Sequence, residues 1–419
     1  MRVAVVHDFL YVYAGAERVL EQMIKVVPQC DVFALFDFLP EGSRGFLAGK
    51  EVKTSFIQRM PLAKKKHRAF LPVMPLAIEQ LDLSGYDLVI SSSYLAAKGV
   101  ITGPDQLHVC YCHSPARYAW DLQHQYLDRQ GVGFGPKGIL ARAILQYIRN
   151  WDVRSAVGVD KFIANSEFIA RRIGKVYRRS AEVIYPPVNT DAFPVGEDRS
   201  EFYLTVSRLV PYKRIDVLVE AFNKMPDKRL VVVGDGPERE ALEKIAEPNI
   251  TFAGHQPQAE MLRYMQLAKA FLFAAEEDFG IVPVEAMACG TPVIAFGHGG
   301  VRESVVEGVT GMFFEEQDAF SLIRAIRRFE AQGLSGGTEA IRERAERFNA
   351  GRFRDELKAL LQREWREFRA LRTLAGPPSL GGHPLAADAD AASQAEAEAD
   401  AATGIHAQSD GPLNDSSAA

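Results

Sequence analysis

The stretch AAEEDFGIVPVEAMACGTPVIAF, residues 274–296, carries two carboxylates, Glu277 and Glu285, with Gly280 between them. An apolar run, AFLFAA, ends just before Glu276, and a helix is expected to begin near Ile281. A strand-to-helix junction of this kind presents free backbone N–H groups, and the helix dipole favours negative charge in front of it. Glu277 falls in the loop ahead of the helix and Glu285 inside it, a spacing that lets both carboxylates address one ligand. A carboxylate accepts two hydroxyl hydrogen bonds, which suits a sugar or a ribose diol.

A second set of residues lies in VSRLVPYKRID, where Arg208 follows the apolar run FYLTVS and Lys213 opens the next helix. Both are expected at the strand-end face, where two cations neutralise a leaving diphosphate without a metal. A third set comes from the first half of the chain. In DFLYVYAGAERV, Gly15 stands at a helix start and permits close approach to a phosphate or sugar; in CYCHSPARYAWD, His113 sits just past a strand end.

No metal site is expected. Cys110, Cys112 and His113 lack a second ligand pair, and Asp388 and Asp390 belong to an Asp/Ala-rich tail. HExxH and P-loop strings are absent. The four cysteines read as buried thiols in a reducing compartment.

The elements that must hold these residues alternate between strand and helix. Val3 to Val6 is followed by a small-residue loop and a helical pattern over Ala16–Val27, with Val19, Leu20, Met23 and Ile24 on one face. DVFALF, DLVISSS, LHVCYC and KFIANS read as buried parallel strands. IYPPVNTDAFPVGEDRSE then breaks the rhythm as a linker. FYLTVS, RLVVVG, NITFAG, AFLFAA and PVIAF follow as five more strands. The fold class is therefore α/β, with two doubly wound domains facing a cleft at the carboxyl ends of their strands. The expected divisions are 1–185 for the N-terminal domain, 186–200 for the linker, 201–351 for the C-terminal domain, and 375–419 for a disordered acidic tail. A charged helical region runs from Ser321 to Leu374.

The 419-residue chain carries a net charge of −5, and nothing in it calls for nucleic acid. MRVAVVHDFL lacks the layout of a secretory leader, and no apolar run reaches the ~20 residues of a membrane span, so a cytoplasmic protein is expected. One basic cluster stands apart: Lys64, Lys65, Lys66, His67 and Arg68, leading into AFLPVMPLAIEQL. It is expected to rest on an anionic inner-membrane face, the alternative being a solvated loop ahead of a core helix.

Together these segments resemble the family 4 retaining glycosyltransferases of GT-B fold, over Met1 to about Arg372. EDFGIVPVE is similar to that family's E-x7-E motif. The resemblance implies that Glu277 holds hydroxyls of the donor sugar and Glu285 the ribose, with the amides of Phe279, Gly280 and Ile281 facing sugar and phosphates. It implies that Arg208 and Lys213 bind the diphosphate and that His113 lies near the donor sugar. Gly234, Gly254 and His255, in GDGPE and FAGHQP, would border the nucleobase. Residues 352–374 would form a last helix crossing back onto the first domain.

HDFL, GAERVL, YCHSPARYAWD and YPPVNTDAF resemble the bacterial O-antigen and exopolysaccharide mannosyltransferase branch. That likeness implies GDP-mannose as donor substrate, a lipid-linked or oligosaccharide acceptor, and no cofactor or divalent metal. The chain departs from the family pattern at Ala14, where a second glycine is usual, and at Asn189, where the linker motif is usually acidic. Two rival functions are a GT-B sugar-nucleotide epimerase or hydrolase and a non-catalytic sugar-nucleotide-binding subunit. The first would turn over donor alone; the second predicts loss of the His, Arg, Lys and Glu positions, all of which are present.

Overall fold

Continuous apolar runs bounded by turn residues become strands covered on both faces, because a parallel sheet needs helices on each side. The structure, a computed structural model, describes residues 1–124, 127, 133, 135–196 and 198–374. The tail expected at 375–419 lies outside the described residues.

In the N-terminal lobe, β1 (Val3–His7) leads to α1 (Gly15–Val26), β2 (Asp31–Ala34) and β3 (Val52–Thr54). Two short helices, α2 (Ala63–Lys66) and α3 (Met74–Glu79), precede β4 (Leu88–Ser93) and β5 (Leu107–Cys112). Next come α4 (Pro136–Ala156), β6 (Lys161–Ala164), α5 (Glu167–Tyr177) and β7 (Ala181–Val183). The seven strands pair in parallel in the order β3-β2-β1-β4-β5-β6-β7. Every residue of β1, β4 and β5 is buried.

After the linker the alternation restarts with β8 (Phe202–Val206), α6 (Ile215–Asn223), β9 (Arg229–Val233) and α7 (Arg239–Ile245). It continues through β10 (Ile250–Gly254), α8 (Gln258–Leu267), β11 (Ala270–Phe273) and α9 (Ile281–Ala288). β12 (Val293–Phe296), α10 (Val301–Ser304) and β13 (Gly311–Phe314) complete the sheet, ordered β10-β9-β8-β11-β12-β13. The charged region expected from Ser321 is three helices, α11 (Ala319–Gln332), α12 (Thr338–Glu346) and α13 (Ala350–Leu374). Strand order reverses between β1 and β4 in one sheet and between β8 and β11 in the other. Crevices open at such reversals, beyond the strand carboxyl ends.

Both sheets belong to one compact unit, Met1–Arg366. Helix α13 begins at the C-terminal lobe and lays Phe353, Leu357, Leu360 and Leu361, all buried, against the N-terminal lobe. Phe353 meets the Tyr111 ring edge-on at 5.8 Å, and Arg354 donates to Gln22 of α1 at 2.6 Å. Trp365, on the same apolar spacing, is half-buried.

Three strands escaped the sequence reading: β3, β7 and β13. Each has four residues or fewer, all three are sheet edges, and β13 opens on Gly311, so none shows a recognisable period. Gly311 is there because a Cβ would sit 2.0 Å from the Val293 carbonyl of β12.

Candidate functional site

The C-terminal wall of the cleft is the β11–α9 junction. Gly280 caps α9 with φ +86°, a conformation L side chains rarely adopt, so the sharp entry into the helix depends on glycine. The loop before it is anchored from below by the glycine strap after β12. Glu277 bridges to Gly299, and the Gly300 N–H donates to the Glu277 carbonyl at 2.8 Å. A Cβ on Gly300 would lie 2.1 Å from the Asp278 carbonyl, so only glycine lets the strap lie this close. Glu277 is half-buried and its carboxylate accepts from Lys213, which stands where the β8 loop ends. Arg208 lies exposed just beyond β8. Glu277, Lys213 and Arg208 thus gather at the reversal between β8 and β11.

Glu285 is 2% exposed and accepts from Arg18 of α1, so the second carboxylate of the pair is bound by the opposite lobe. Burial pushes the Glu285 carboxyl above its ordinary value, with Arg18 pulling the other way. The Phe279 side chain turns away from the cleft into an aromatic cluster with Tyr185 and Phe348 at the linker, at ring distances of 5.7 and 5.3 Å.

The N-terminal wall is assembled at the reversal between β1 and β4. Helix α1 starts at Gly15 itself, one residue before the expected Ala16. A Cβ on Gly15 would meet Ile281 Cδ1 at 3.2 Å, which places the starts of α1 and α9 face to face. His113 is half-buried, and its Nε2 shares a hydrogen bond of 2.9 Å with Ser92 Oγ. Ser92 Oγ is also 3.1 Å from Nδ1 of the fully buried His7. His7 Nε2 lies 3.5 Å from Glu17 Oε1, and Glu17 Oε2 accepts the Ala14 N–H at 2.9 Å. Burial, with His7 alongside, pushes the His113 pKa down to about 3, so its imidazole is neutral at ordinary pH. Below this network Asp8 accepts four backbone N–H groups, from Tyr94 to Ala97 at 2.5 to 2.9 Å, and fixes the loop after β4.

Five further hydrogen bonds clasp the lobes. Arg117 and Arg172 donate to Asp278 at 2.7 and 3.4 Å, and Ser166 Oγ donates to the Asp278 carbonyl at 2.6 Å. Burial raises the Asp278 carboxyl against the pull of those arginines. Glu303 of α10 accepts the Glu167 and Phe168 N–H groups at 2.7 and 2.9 Å, capping α5 from the other lobe.

The structure therefore brings Gly15 against Ile281 beside Gly280, Lys213 against Glu277, and Arg18 of α1 against Glu285, while His113 stands at the end of β5 in the N-terminal lobe. Gly234 and Gly254 have backbone tasks. Gly234, at φ +128°, lets the loop after β9 lie on the loop after β8, since a Cβ would be 1.9 Å from the Ser207 carbonyl. Gly254 has φ +70° and accepts the Gly234 N–H at 2.8 Å, while His255 is exposed beside it. In the basic cluster Lys64, Lys65, Lys66 and Arg68 are exposed. His67 is not part of that charged face. Its ring packs against Tyr11, Phe9 and Phe36 at 4.6 to 5.9 Å, and burial lowers its pKa. The segment after it is core, with Met74, Ala77 and Ile78 buried. All four cysteines are free and buried, and burial pushes the Cys110 thiol up to about 12.

The sequence reading did not single out Arg18, Asp278, Glu303, His7, Ser92 or Glu17. Arg18 and Asp278 lie inside quoted strings, and their charge beside Gly15 and Glu277 was an available signal. His7 and Ser92 had none, being 85 residues apart and joined only by β1–β4 pairing. Among the described residues no three His, Cys, Asp or Glu side chains are grouped to hold a metal.

Comparison with known proteins follows the same division into lobes. Residues 13–192 match the model "Glycosyltransferase Family 4", and residues 189–348 match "Glycosyl transferases group 1". D-inositol 3-phosphate glycosyltransferase from Mycobacterium sp. (strain JLS) is 29% identical over 216 residues, covering 45% of this chain and 49% of that protein. A GDP-mannose-dependent alpha-(1-6)-phosphatidylinositol monomannoside mannosyltransferase from Mycolicibacterium smegmatis is 30% identical over 209 residues, covering 41% and 55%. The matches thus span about half the length of these curated relatives. The crystal structure of Anabaena HepE in complex with UDP-glucose aligns with TM-score 0.63 at 20% identity, covering 86% of this chain and all of that one (100%). At that identity the likeness establishes the fold, GT-B. The chain belongs to the family 4 glycosyltransferases.

Proposed function

We propose that this family 4 glycosyltransferase is a retaining hexosyltransferase that uses a nucleotide diphosphate sugar, GDP-mannose foremost, without a divalent metal. The acceptor is a lipid-linked or oligosaccharide hydroxyl in cell-surface polysaccharide synthesis. The observation that carries the reading is the meeting of Gly15 with the start of α9, beside a carboxylate–lysine pair at the β8–β11 reversal. Free N–H groups, two cations and two carboxylates then surround a space bounded by both lobes, which matches a diphosphate with a sugar on one side and a ribose on the other.

In this reading Arg208, Lys213 and the α9 N-terminus hold the diphosphate and stabilise the charge that grows as the glycosidic bond breaks. Glu277 accepts sugar hydroxyls, and Glu285 accepts those of the ribose, with Arg18 exchanging its partner as donor enters. The acceptor oxygen forms its bond to the anomeric carbon on the face the diphosphate leaves. The acceptor proton passes to the departing phosphate oxygen, giving glycoside and nucleoside diphosphate. No side-chain nucleophile is needed in this internal-return route.

Mannose and guanine rest on the resemblance to the mannosyltransferase branch, and the mannosyltransferase relative supports them at 30% identity. The four exposed cations Lys64, Lys65, Lys66 and Arg68, near exposed Met60, Leu62 and Leu76, support contact with an anionic membrane face. Among the described residues no helix is long and apolar enough to cross a membrane.

Thermal shift against GDP-mannose, UDP-glucose and UDP-GlcNAc, in EDTA and in magnesium, tests the donor. A selective GDP-mannose shift that survives EDTA is expected; a shift with uridine nucleotides alone discards mannose, and no shift at all discards the donor site. An inverted anomeric configuration in the product would discard retention.

A further inference from the structure

We propose that Glu17, His7 and Ser92 are positioning residues that set the tautomer of His113, so that His113 offers the cleft a bare Nδ1 and accepts a hydrogen bond from a sugar hydroxyl. The ligand half of this statement rests on the reading of the cleft as a donor-sugar site; the tautomer half does not.

Ser92 Oγ has one proton and stands between two imidazole nitrogens, His7 Nδ1 at 3.1 Å and His113 Nε2 at 2.9 Å. It can donate to one and must accept from the other. Two directions are open, and the far end of His7 selects between them. Nε2 of His7 is buried without a hydrogen-bond partner, and it faces Glu17 Oε1 at 3.5 Å. A lone pair on Nε2 would face the carboxylate lone pairs, whereas a proton there faces opposite charge.

Glu17 cannot turn aside, because its other oxygen accepts the Ala14 N–H at the start of α1, where the helix dipole also favours an anion. With the proton on Nε2, His7 Nδ1 is an acceptor, so Ser92 donates to it and accepts from His113 Nε2–H. His113 Nδ1 is then left without a proton.

The pairing of strands builds this chain. His7 and Ser92 are register partners on β1 and β4, and His113 immediately follows β5, the next strand of the sheet. The surroundings hold the rings: Tyr94 stands edge-on to His7 at 6.0 Å and to His113 at 6.1 Å, and Tyr111 lies 5.1 Å from His113. Burial keeps His113 neutral, so the tautomer alone decides which nitrogen accepts.

The test is nitrogen-15 NMR of the full chain labelled at histidine, with His113 assigned by its loss in H113N. The free wild-type protein is expected to show His113 protonated at Nε2. In E17Q the side-chain carbonyl keeps the Ala14 N–H, which turns the amide NH2 toward His7 and reverses the chain. His113 is then expected to carry its proton on Nδ1. In S92A the link is gone and both tautomers are expected.

A wild-type Nδ1–H tautomer, or the same tautomer in all three proteins, overturns the relay. Binding of monodeoxyfluoro sugar nucleotides supplies the second readout, since fluorine cannot donate. One analogue is expected to bind wild type about tenfold more weakly than the parent sugar, with that penalty shrinking in E17Q. A uniform penalty in both proteins overturns the acceptor role. If no sugar nucleotide binds wild type, the donor reading falls while the tautomer result in the free protein still stands or fails by itself.

Discussion

The two lobes reach the cleft by different means. The C-terminal lobe brings Glu277, Gly280 and Glu285 from one unbroken loop and helix, with Lys213 and Arg208 from the neighbouring strand end. The N-terminal lobe brings His7, Glu17, Ser92 and His113 from four separate elements joined through buried side chains. One wall is therefore made of charges at an edge, the other of neutral and charged polar groups held inside. The first suits developing charge, which wants preorganised cations and dipoles. The second suits orientation, which wants side chains with no freedom to turn.

This contrast is open to direct attack. Glu277→Ala should have the largest effect, lowering kcat about a thousandfold while nucleoside diphosphate binding persists, because Lys213 and the α9 start remain. Equal losses in kcat and in nucleotide affinity would show that the edge does not divide its work this way. Arg18→Ala should come next, since it strips a buried carboxylate of its partner from the other lobe. Arg18 is itself partly exposed, so a loss of ~2 kcal/mol in urea unfolding is expected, with recovery in the double variant R18M/E285Q.

A third experiment uses acid. Among the described residues the fully buried histidines, His7 and His108, both lie in the N-terminal lobe. Burial pushes His108 down to about 4 from an ordinary 6.5. The unfolded chain takes up that proton first as pH falls below 6.5, so the contribution of His108 to stability is full above 6.5. It declines by ~1.4 kcal/mol per pH unit towards its folded value. His108→Gln should flatten the stability–pH profile in that window, as followed by denaturant titration. An unchanged slope would mean that acid acts elsewhere. The smallest effect belongs to Gly15→Ala, where the new methyl asks Ile281 to give way by a few tenths of an ångström. Donor KM should rise several-fold, ~1 kcal/mol, with Tm unmoved.

The same contrast explains what could be read from residues alone. A site carried on one contiguous string keeps its geometry in the spacing, so the Glu277–Glu285 string, Gly280 and the helix start were legible, as was the alternation that makes two doubly wound sheets. A site assembled by strand pairing keeps its geometry in the sheet order. His113 was visible as a strand-end residue; the His7 and Ser92 that hold it were not, because β1 and β4 become neighbours only after folding. One residue of the basic cluster, His67, departs from the reading for a third reason. Lysine and histidine look alike as charges in a string, yet His67 has a flat ring that fits between Tyr11, Phe9 and Phe36, and its neighbours do not.

The capping of α5 by Glu303 has a practical consequence. The amides of Glu167 and Phe168 are bonded only as long as the lobes stay together, since their acceptor belongs to the other lobe. Each separation leaves those two N–H groups to water without unfolding the helix behind them. Their rate of deuterium uptake, set against that of amides deeper in α5, therefore counts how often the cleft opens. Slowing of that uptake by a bound sugar nucleotide would measure closure from inside the molecule, with no label added.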